Sequence, residues 1–290
     1  MTMNELHVIV ASHNRAATTH RALSSLDVAA AEADLSYDVT LFDDGSTDET
    51  VAVATAAVKN LTVLRGDGSA FWARSMAAAE DEVLSRDDVH DGDWLLWFND
   101  DVVLAPSGLR NMVAAASALP VGVLVGSTVD GVSGLLTYGG LRRSGVHPLA
   151  FDLVEPPAAP DEGAKVDAFN GNVVLMPVHV ARTVGAIDGA FSHAFADVDY
   201  GSRAVAKGVP IIVAGGVVGF CSRNPTVSHS SAVAAWRAYT GRKGAGNPRA
   251  LRRYLRRHSP RSWWFFFASS YGLWWMRTIR RSLRPRRVRP

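Results

Sequence analysis

Residues Asp93–Asp101 read DWLLWFNDD. An apolar run containing two tryptophans makes a buried strand, and the polar cluster Asn99-Asp100-Asp101 ends it abruptly. The chain upstream repeats the pattern. Leu6–Ala11 (LHVIVA) ends in Ser12-His13-Asn14-Arg15, Tyr37–Phe42 in Asp43-Asp44-Gly45-Ser46, and Leu61–Leu64 is followed by Gly66–Ser69. Helical stretches over Thr18–Ala31, Asp48–Val58 and Ala70–Leu84 separate these strands, with Thr47 as a cap and Asp48 and Glu49 in the first turn of the second. Strands alternating with helices of this length predict an α/β fold: a Rossmann-like, mostly parallel sheet with right-handed crossovers, flanked by helices. In such sheets a ligand lies beyond the carboxyl ends of the strands, where these four polar clusters converge.

Downstream the pattern loosens. Residues 120–165 carry scattered glycines and the proline-rich stretch Glu155–Gly163, and read as strands and a loop. Val166–Pro177 is expected as a strand pair or a strand with a polar turn, His179–Val184 as a short helix, Asp197–Lys207 as a helix closed by Gly208, and Pro210–Val218 as another buried strand. From Ala232 onward arginine and aromatic residues dominate.

With 290 residues, of which 48% are hydrophobic and 20% charged, the chain suffices for one large domain, or a domain and a tail, and excludes a disordered or collagen-like polymer. The single cysteine, Cys221, excludes an intramolecular disulfide framework and suggests a reducing compartment. The start, MTMNELHVIV, does not read as a secretory signal, and no apolar run approaches the roughly 18 residues of a membrane-spanning helix. The net charge of +2 conceals a division. Residues 1–199 hold all 28 acids against 11 Lys/Arg, a balance of −17, whereas residues 200–290 hold 19 Lys/Arg and no acid. That split points to an anionic partner for the C-terminal part, or to packing of a basic tail on an acidic body.

Adjacent carboxylates such as Asp100 and Asp101 repel each other unless a cation or a set of donors compensates. Oxygen ligands suit Mg²⁺ or Mn²⁺, which grip a diphosphate; the plainer alternative is a solvated turn. Asp43 and Asp44 could accept hydrogen bonds from a pyrimidine imide or ribose hydroxyls, or simply form a turn. No Gly-x-Gly-x-x-Gly and no Walker A loop follows the first strand.

Taken in order, HVIVASHNR, LFDDGSTDET, GDGSAFWARSM, LLWFNDD, FNGNVVLMP with VGAIDGAF, and FADVDYGSRAVAKG resemble the motifs of family 2 inverting glycosyltransferases of GT-A fold over roughly residues 5–220. The GDGSAFWARSM stretch is most similar to the rhamnosyltransferase and galactofuranosyltransferase branches. The resemblance implies a nucleotide-sugar donor, UDP- or dTDP-linked, with Mn²⁺ or Mg²⁺. It places Asn99 and Asp101 in the outer positions of an Asp-x-Asp metal motif, with Asn99 a departure, and Asp100 toward the donor sugar or ribose. It places Asp43 and Asp44 at the nucleobase with Ser12, His13 and Arg15 beside it, and Gly68 and Trp72 at the nucleoside or sugar. Phe169, Asn170, Gly171 and Asn172 line the acceptor pocket in this reading. Asp197 takes the position of the catalytic base, Asp199 follows two residues on, and Ala196 replaces the usual first acid. The family's metal-binding histidine is replaced by Cys221, with His229 the nearest candidate.

The resemblance divides the chain into a catalytic domain over residues 1–230, with a donor half (1–118) and an acceptor half (119–230), and a basic aromatic helical tail over 231–290. The tail's apolar core, Trp263–Met276, is 14 residues, too short to span a bilayer but rich in tryptophan and flanked by arginine. An in-plane anchor on an anionic membrane surface is expected, with an oligomer interface or a clamp on the acidic body as alternatives. Nucleic acid is not expected, since no RNA-binding motif accompanies the basic residues. The expected enzyme is a hexosyltransferase, with rhamnose the leading candidate sugar. It would act on a polyprenyl-linked or cell-surface glycan in the cytoplasm, at the inner face of the cell membrane. The alternatives are a sugar nucleotidyltransferase and a non-catalytic, membrane-associated glycan-binding protein.

Overall fold

A computed structural model describes residues 5–282 except 121, 192–193, 224–226 and 228. The anticipated strands and helices of the first half are present: β1 (Leu6–Ser12), α1 (Ala16–Glu32), β2 (Tyr37–Asp43), α2 (Thr50–Ala57), β3 (Leu61–Arg65), α3 (Phe71–Ser85) and β4 (Trp94–Phe98). After these come β5 (Val103–Leu104), α4 (Gly108–Ala118), β6 (Val123–Val129), β7 (Leu136–Tyr138), β8 (Gly140–Arg143), β9 (Phe151–Leu153), β10 (Gly163–Lys165), β11 (Ala168–Phe169) and β12 (Val173–Pro177). The chain continues through α5 (Val178–Val184), α6 (Ala196–Ala206), β13 (Ile211–Phe220), α7 (Ala232–Thr240), α8 (Pro248–His258) and α9 (Trp263–Ser282).

The main sheet runs β10-β13-β6-β12-β4-β1-β2-β3. Strands β3, β2, β1 and β4 are parallel, as the alternation predicts. The sheet is nonetheless mixed. β12 inserts antiparallel between β4 and β6, and β10 pairs antiparallel with β13. Strands β8, β9 and β11 form a separate small sheet.

Side chains alternate across β1. Leu6, Val8 and Val10 face a core completed by Leu23 and Leu26 of α1 and Met112 of α4, whereas Ile9 faces Met76 of α3, Tyr200 of α6 and Leu251 of α8. The result is helices on both faces of one sheet. Helix α8 is part of the second layer rather than an appendage, because Ala250, Leu251, Tyr254 and Leu255 are buried in the core. Trp263, Phe266, Phe267 and Tyr271 of α9 pack against the same cluster. Among the described residues, no helix is long and apolar enough to cross a membrane.

Candidate active site

The polar strand ends meet at one edge of the sheet. Register places Ser12 opposite Asp43, at the carboxyl ends of β1 and β2. Ser12 Oγ donates to Asp100 Oδ2 at 2.8 Å, and Arg15 Nη1 reaches Asp100 Oδ1 at 2.6 Å and Asp101 Oδ2 at 3.2 Å. Burial pushes the Asp100 carboxyl up, against the pull of Arg15 and Ser12. The adjacent carboxylates are therefore compensated by Arg15, a half-exposed cation at the rim.

Asp44 is buried, and its carboxylate accepts the backbone amides of Gly68 (3.0 Å), Ala70 (3.2 Å) and Phe71 (3.0 Å). It thus holds the loop after β3 and the start of α3, where an anion is favoured by the helix dipole. Asp43 accepts from the Ser46 amide and pairs with Arg65 at 3.3 Å. The two aspartates shape this wall chiefly by organising its backbone. His13 Nδ1 donates to the Asp44 carbonyl at 2.6 Å, leaving Nε2 as the ring's acceptor. Gly68, with φ of +85°, lies against the same segment. Asn14, which the sequence reading left unassigned, staples the loops by accepting the Thr47 amide at 2.8 Å and donating its own amide to Ser46 Oγ at 2.8 Å.

Trp72 bridges the two halves of the site. Its Nε1 donates to Asn99 Oδ1 at 2.7 Å. A Cβ placed on Gly171 would stand 2.8 Å from the Trp72 ring and 3.4 Å from Asp197 Cβ, so only glycine lets Trp72 and Asp197 close on this point. The Gly171 amide donates to Asp197 Oδ2 at 3.1 Å and the Val198 amide to Oδ1 at 2.8 Å. Asp197 is half-buried, and burial raises its carboxyl above the ordinary range despite those two donors. A carboxyl so placed suits proton abstraction. Two bulky residues here adopt left-handed backbone, Phe71 (φ 55°) at the start of α3 and Phe195 (φ 76°) just before α6. Strain of this kind gathers at functional sites.

Three expected site residues are placed elsewhere. Phe169 is fully buried, packed edge-on against Trp97 and Tyr200, so it is core rather than pocket lining. Asp199 is fully buried two residues from Asp197, where it turns inward. It is held by Arg203 Nε (2.9 Å), Arg257 Nη1 (2.7 Å) and His258 Nε2 (2.8 Å), and has no lone pair to spare for an acceptor. Burial favours its neutral form, yet the bonds from His258, Arg257 and Arg203 outweigh that and lower its pKa. His229 is exposed and lines a groove with Ala235, Ala238, Tyr239, Trp274 and Thr278, none of them a carboxylate. Among the described residues no three His, Cys, Asp or Glu side chains form a metal-holding group.

Near Asp101, Cys221 Sγ donates to Oδ1 at 3.6 Å and receives Asn172 Nδ2 at 3.5 Å. Burial first, and the charge of Asp101 next, push the thiol up to about 12. It is therefore neutral in the metal-free protein, and its soft sulfur is ill matched to a hard divalent cation, which prefers oxygen. The oxygens available to a hard divalent cation are those of the half-buried Asp101 and the remaining lone pair of Asn99. These fit such an ion once diphosphate oxygens complete the set. Asn172 is buried behind Asn99, whose amide its carbonyl accepts at 3.0 Å, and the Asn170 amide donates to the Gly139 carbonyl at 2.9 Å.

Comparison with known proteins identifies the family that carries this doubly covered sheet with acidic clusters at its carboxyl edge. The glycosyl transferase family 2 model matches residues 7–161, more than half of the chain, which therefore belongs to that family. No curated protein matches the chain. Its fold is similar to S. aureus TarS (TM-score 0.57, 14% identity, covering 87% of this chain and 39% of that one). It is also similar to S. aureus TarS 1–349 in complex with UDP-GlcNAc (TM-score 0.56, 16% identity, covering 88% of this chain and 65% of that one). A mannosyltransferase from Pyrobaculum calidifontis, solved with GDP-Man and Mn²⁺, is similar to the same degree (TM-score 0.56, 16% identity, covering 93% and 70%). The chain thus spans about two fifths of the full TarS chain.

Proposed function

We propose that the chain is an inverting sugar transferase in which Asp197 is the general base. The reading rests on one observation: Asp197 is a half-buried carboxylate with a raised pKa, fixed by the Gly171 amide beside Trp72, whose indole is tied to Asn99. Asp197 takes the proton of the acceptor hydroxyl as its oxygen attacks the anomeric carbon, in line with the departing diphosphate. Arg15, between Asp100 and Asp101, is within reach of that leaving group once it turns outward. The wall formed by His13, Asp43, Asp44 and Gly68 receives the nucleoside. A divalent cation, Mn²⁺ or Mg²⁺, held by Asp101 and Asn99, would neutralise charge on the diphosphate. One structural neighbour was solved with GDP-Man and Mn²⁺ and another with UDP-GlcNAc, which supports a nucleotide-sugar donor. The GDGSAFWARSM motif favours a UDP- or dTDP-linked donor and rhamnose as the sugar.

The acceptor in this reading is a glycan carried on a lipid, met at the inner face of the cell membrane. Helix α9 supports it. Trp264, Phe265, Trp275, Met276 and Ile279 are exposed on α9, and Arg261, Arg277 and Arg280 flank them. An apolar stripe with cationic flanks suits an anionic lipid surface.

The test is a thermal-shift panel of UDP, dTDP and GDP, each with and without Mn²⁺, followed by transfer assays on Asp197→Asn. A ligand bound only by the folded state raises the melting temperature. A manganese-dependent rise with UDP or dTDP, together with abolished transfer and near-normal nucleotide binding in Asp197→Asn, is expected. Undiminished transfer by that variant would overturn the assignment of the base.

A further inference from the structure

Helices α7 and α9 border an open groove of about 440 Å³ lined by Ala235, Ala238, Tyr239, Trp274 and Thr278, together with His229. That volume lies within the range of pockets that bury small ligands, roughly 300–1,000 Å³. The groove has an aromatic wall: Tyr239 stacks on Trp274 at 5.4 Å, and Trp236 packs behind both. Tyr239 is also the point from which the next loop, Gly241-Arg242-Lys243-Gly244-Ala245-Gly246, is built. The Gly246 amide donates to the Tyr239 carbonyl at 2.9 Å, the Gly244 amide to the Gly241 carbonyl at 3.0 Å, and Tyr271 Oη to the Gly246 carbonyl at 3.0 Å. A Cβ on Gly246 would fall 2.2 Å from the Tyr239 ring, so the loop packs backbone-to-ring against the wall of the groove.

This loop brings two cations beside one aromatic ring. Arg242 lies 6.0 Å and Lys243 5.8 Å from the centre of the Phe71 ring. Both are exposed. Two exposed cations beside one ring give the loop a positive field that attracts an anion. Phe71 immediately precedes Trp72, so an anion at this loop stands at the threshold of the candidate active site.

We propose that groove and loop together form a binding site for a single lipid with a phosphate or diphosphate head. Arg242 and Lys243 hold the head, and the first segment of the chain lies along Tyr239, Trp274 and Ala238. The inference rests on the reading that the acceptor glycan is carried on a lipid, and it gives that carrier a place. A head gripped beside Phe71 delivers the sugar attached to it to Trp72 and Asp197. Cationic side chains recognise the phosphate through charge-assisted hydrogen bonds, and the aromatic groove excludes water from the chain.

The experiment uses the full chain and a soluble short isoprenoid probe, farnesyl diphosphate, measured by calorimetry. Inorganic diphosphate (head alone), farnesol (chain alone) and UDP or dTDP are measured in parallel. Arg242→Ala/Lys243→Ala removes two exposed side chains, and Ala238→Trp fills the groove from an exposed helix position; unchanged melting temperatures confirm that both variants fold. Each variant is expected to bind farnesyl diphosphate at least about tenfold more weakly, the double variant by losing charge-assisted contacts and Ala238→Trp by filling the space of the chain. Inorganic diphosphate should weaken only in the double variant, and farnesol only in Ala238→Trp. Wild-type affinity for farnesyl diphosphate in both variants, or no binding by the wild type, would overturn the proposal. So would a double variant that loses UDP or dTDP but keeps farnesyl diphosphate, because the pair would then serve the donor. Nucleotide binding by the wild type in the same samples reports separately on the transferase reading.

Discussion

Asp197 and Asp199 lie two residues apart on α6, and neutralising each should have opposite consequences. Asp199 is fully buried and bound by Arg203, Arg257 and His258. Replacing it with asparagine keeps the shape but strands two arginines around a neutral group. Breaking a buried ion pair costs about 3–5 kcal/mol. Arg257 is one-third exposed and an asparagine oxygen still accepts one bond, so the low end, about 3 kcal/mol, applies. At roughly 2–4 °C per kcal/mol for a chain of this size or slightly smaller, the melting temperature should fall by about 6–12 °C. Because the folded-state pKa of Asp199 is depressed, its stabilisation is fully present above the unfolded-state value near 3.9 and is lost as pH falls through the folded value. The deficit of Asp199→Asn should therefore persist from pH 7 to pH 5 and shrink only in stronger acid. Asp197→Asn should do the reverse. Burial raises the Asp197 carboxyl, so its ionised form strains the fold at neutral pH, and the neutral isostere should melt at the wild-type temperature or above. Transfer should nonetheless fall by about 10²–10⁴, the usual contribution of a general base. Calorimetric melts at pH 5 and 7 beside initial-rate assays decide the matter. An Asp199→Asn protein melting within a degree of wild type, or an Asp197→Asn protein destabilised as much, would refute this division of labour.

Three further outcomes follow from the same geometry. Gly171→Ala puts a methyl 2.8 Å from the Trp72 ring, so turnover should drop at least tenfold while UDP or dTDP still binds, read as kcat against nucleotide affinity. Glu80 is fully buried, accepts the Ile187 amide at 2.6 Å and is pushed up to about 8 by burial. Wild-type stability should therefore decline as pH rises from about 4.5 to 8, and Glu80→Gln should flatten that slope in urea melts at pH 5 and 8. Replacing Trp264, Trp275 and Ile279 by serine should abolish sedimentation with phosphatidylglycerol vesicles and leave transfer to a water-soluble acceptor analogue intact.

The donor half was legible because local chemistry spelled it out. LHVIVA, YDVTLF and DWLLWF each end in a polar cluster, and helix-length segments between them dictate parallel pairing. The acceptor half was less so. Nothing in VVLMP shows that β12 runs against its neighbours, since a strand covered on both faces has the same composition in either direction. FNGN reads as a pocket, yet Phe169 points into the core and Asn172 into a contact with Cys221, because a turn does not reveal which side chains face inward. The partners of Asp199 were invisible for another reason. Arg257 and His258 are 58 and 59 residues away, in a stretch whose many arginines look alike in sequence.

That last contact redraws where the molecule can be cut. The family model ends at residue 161 and the motifs that resemble the family end near residue 220, so a molecular biologist trimming the gene there would judge the basic aromatic tail dispensable. The shortest fragment that keeps Asp199 neutralised and the α8 face of the core covered must instead run past His258. Insolubility of a shorter piece would then reflect a severed core, and should not be read as a sign that the missing segment was needed only to hold a membrane.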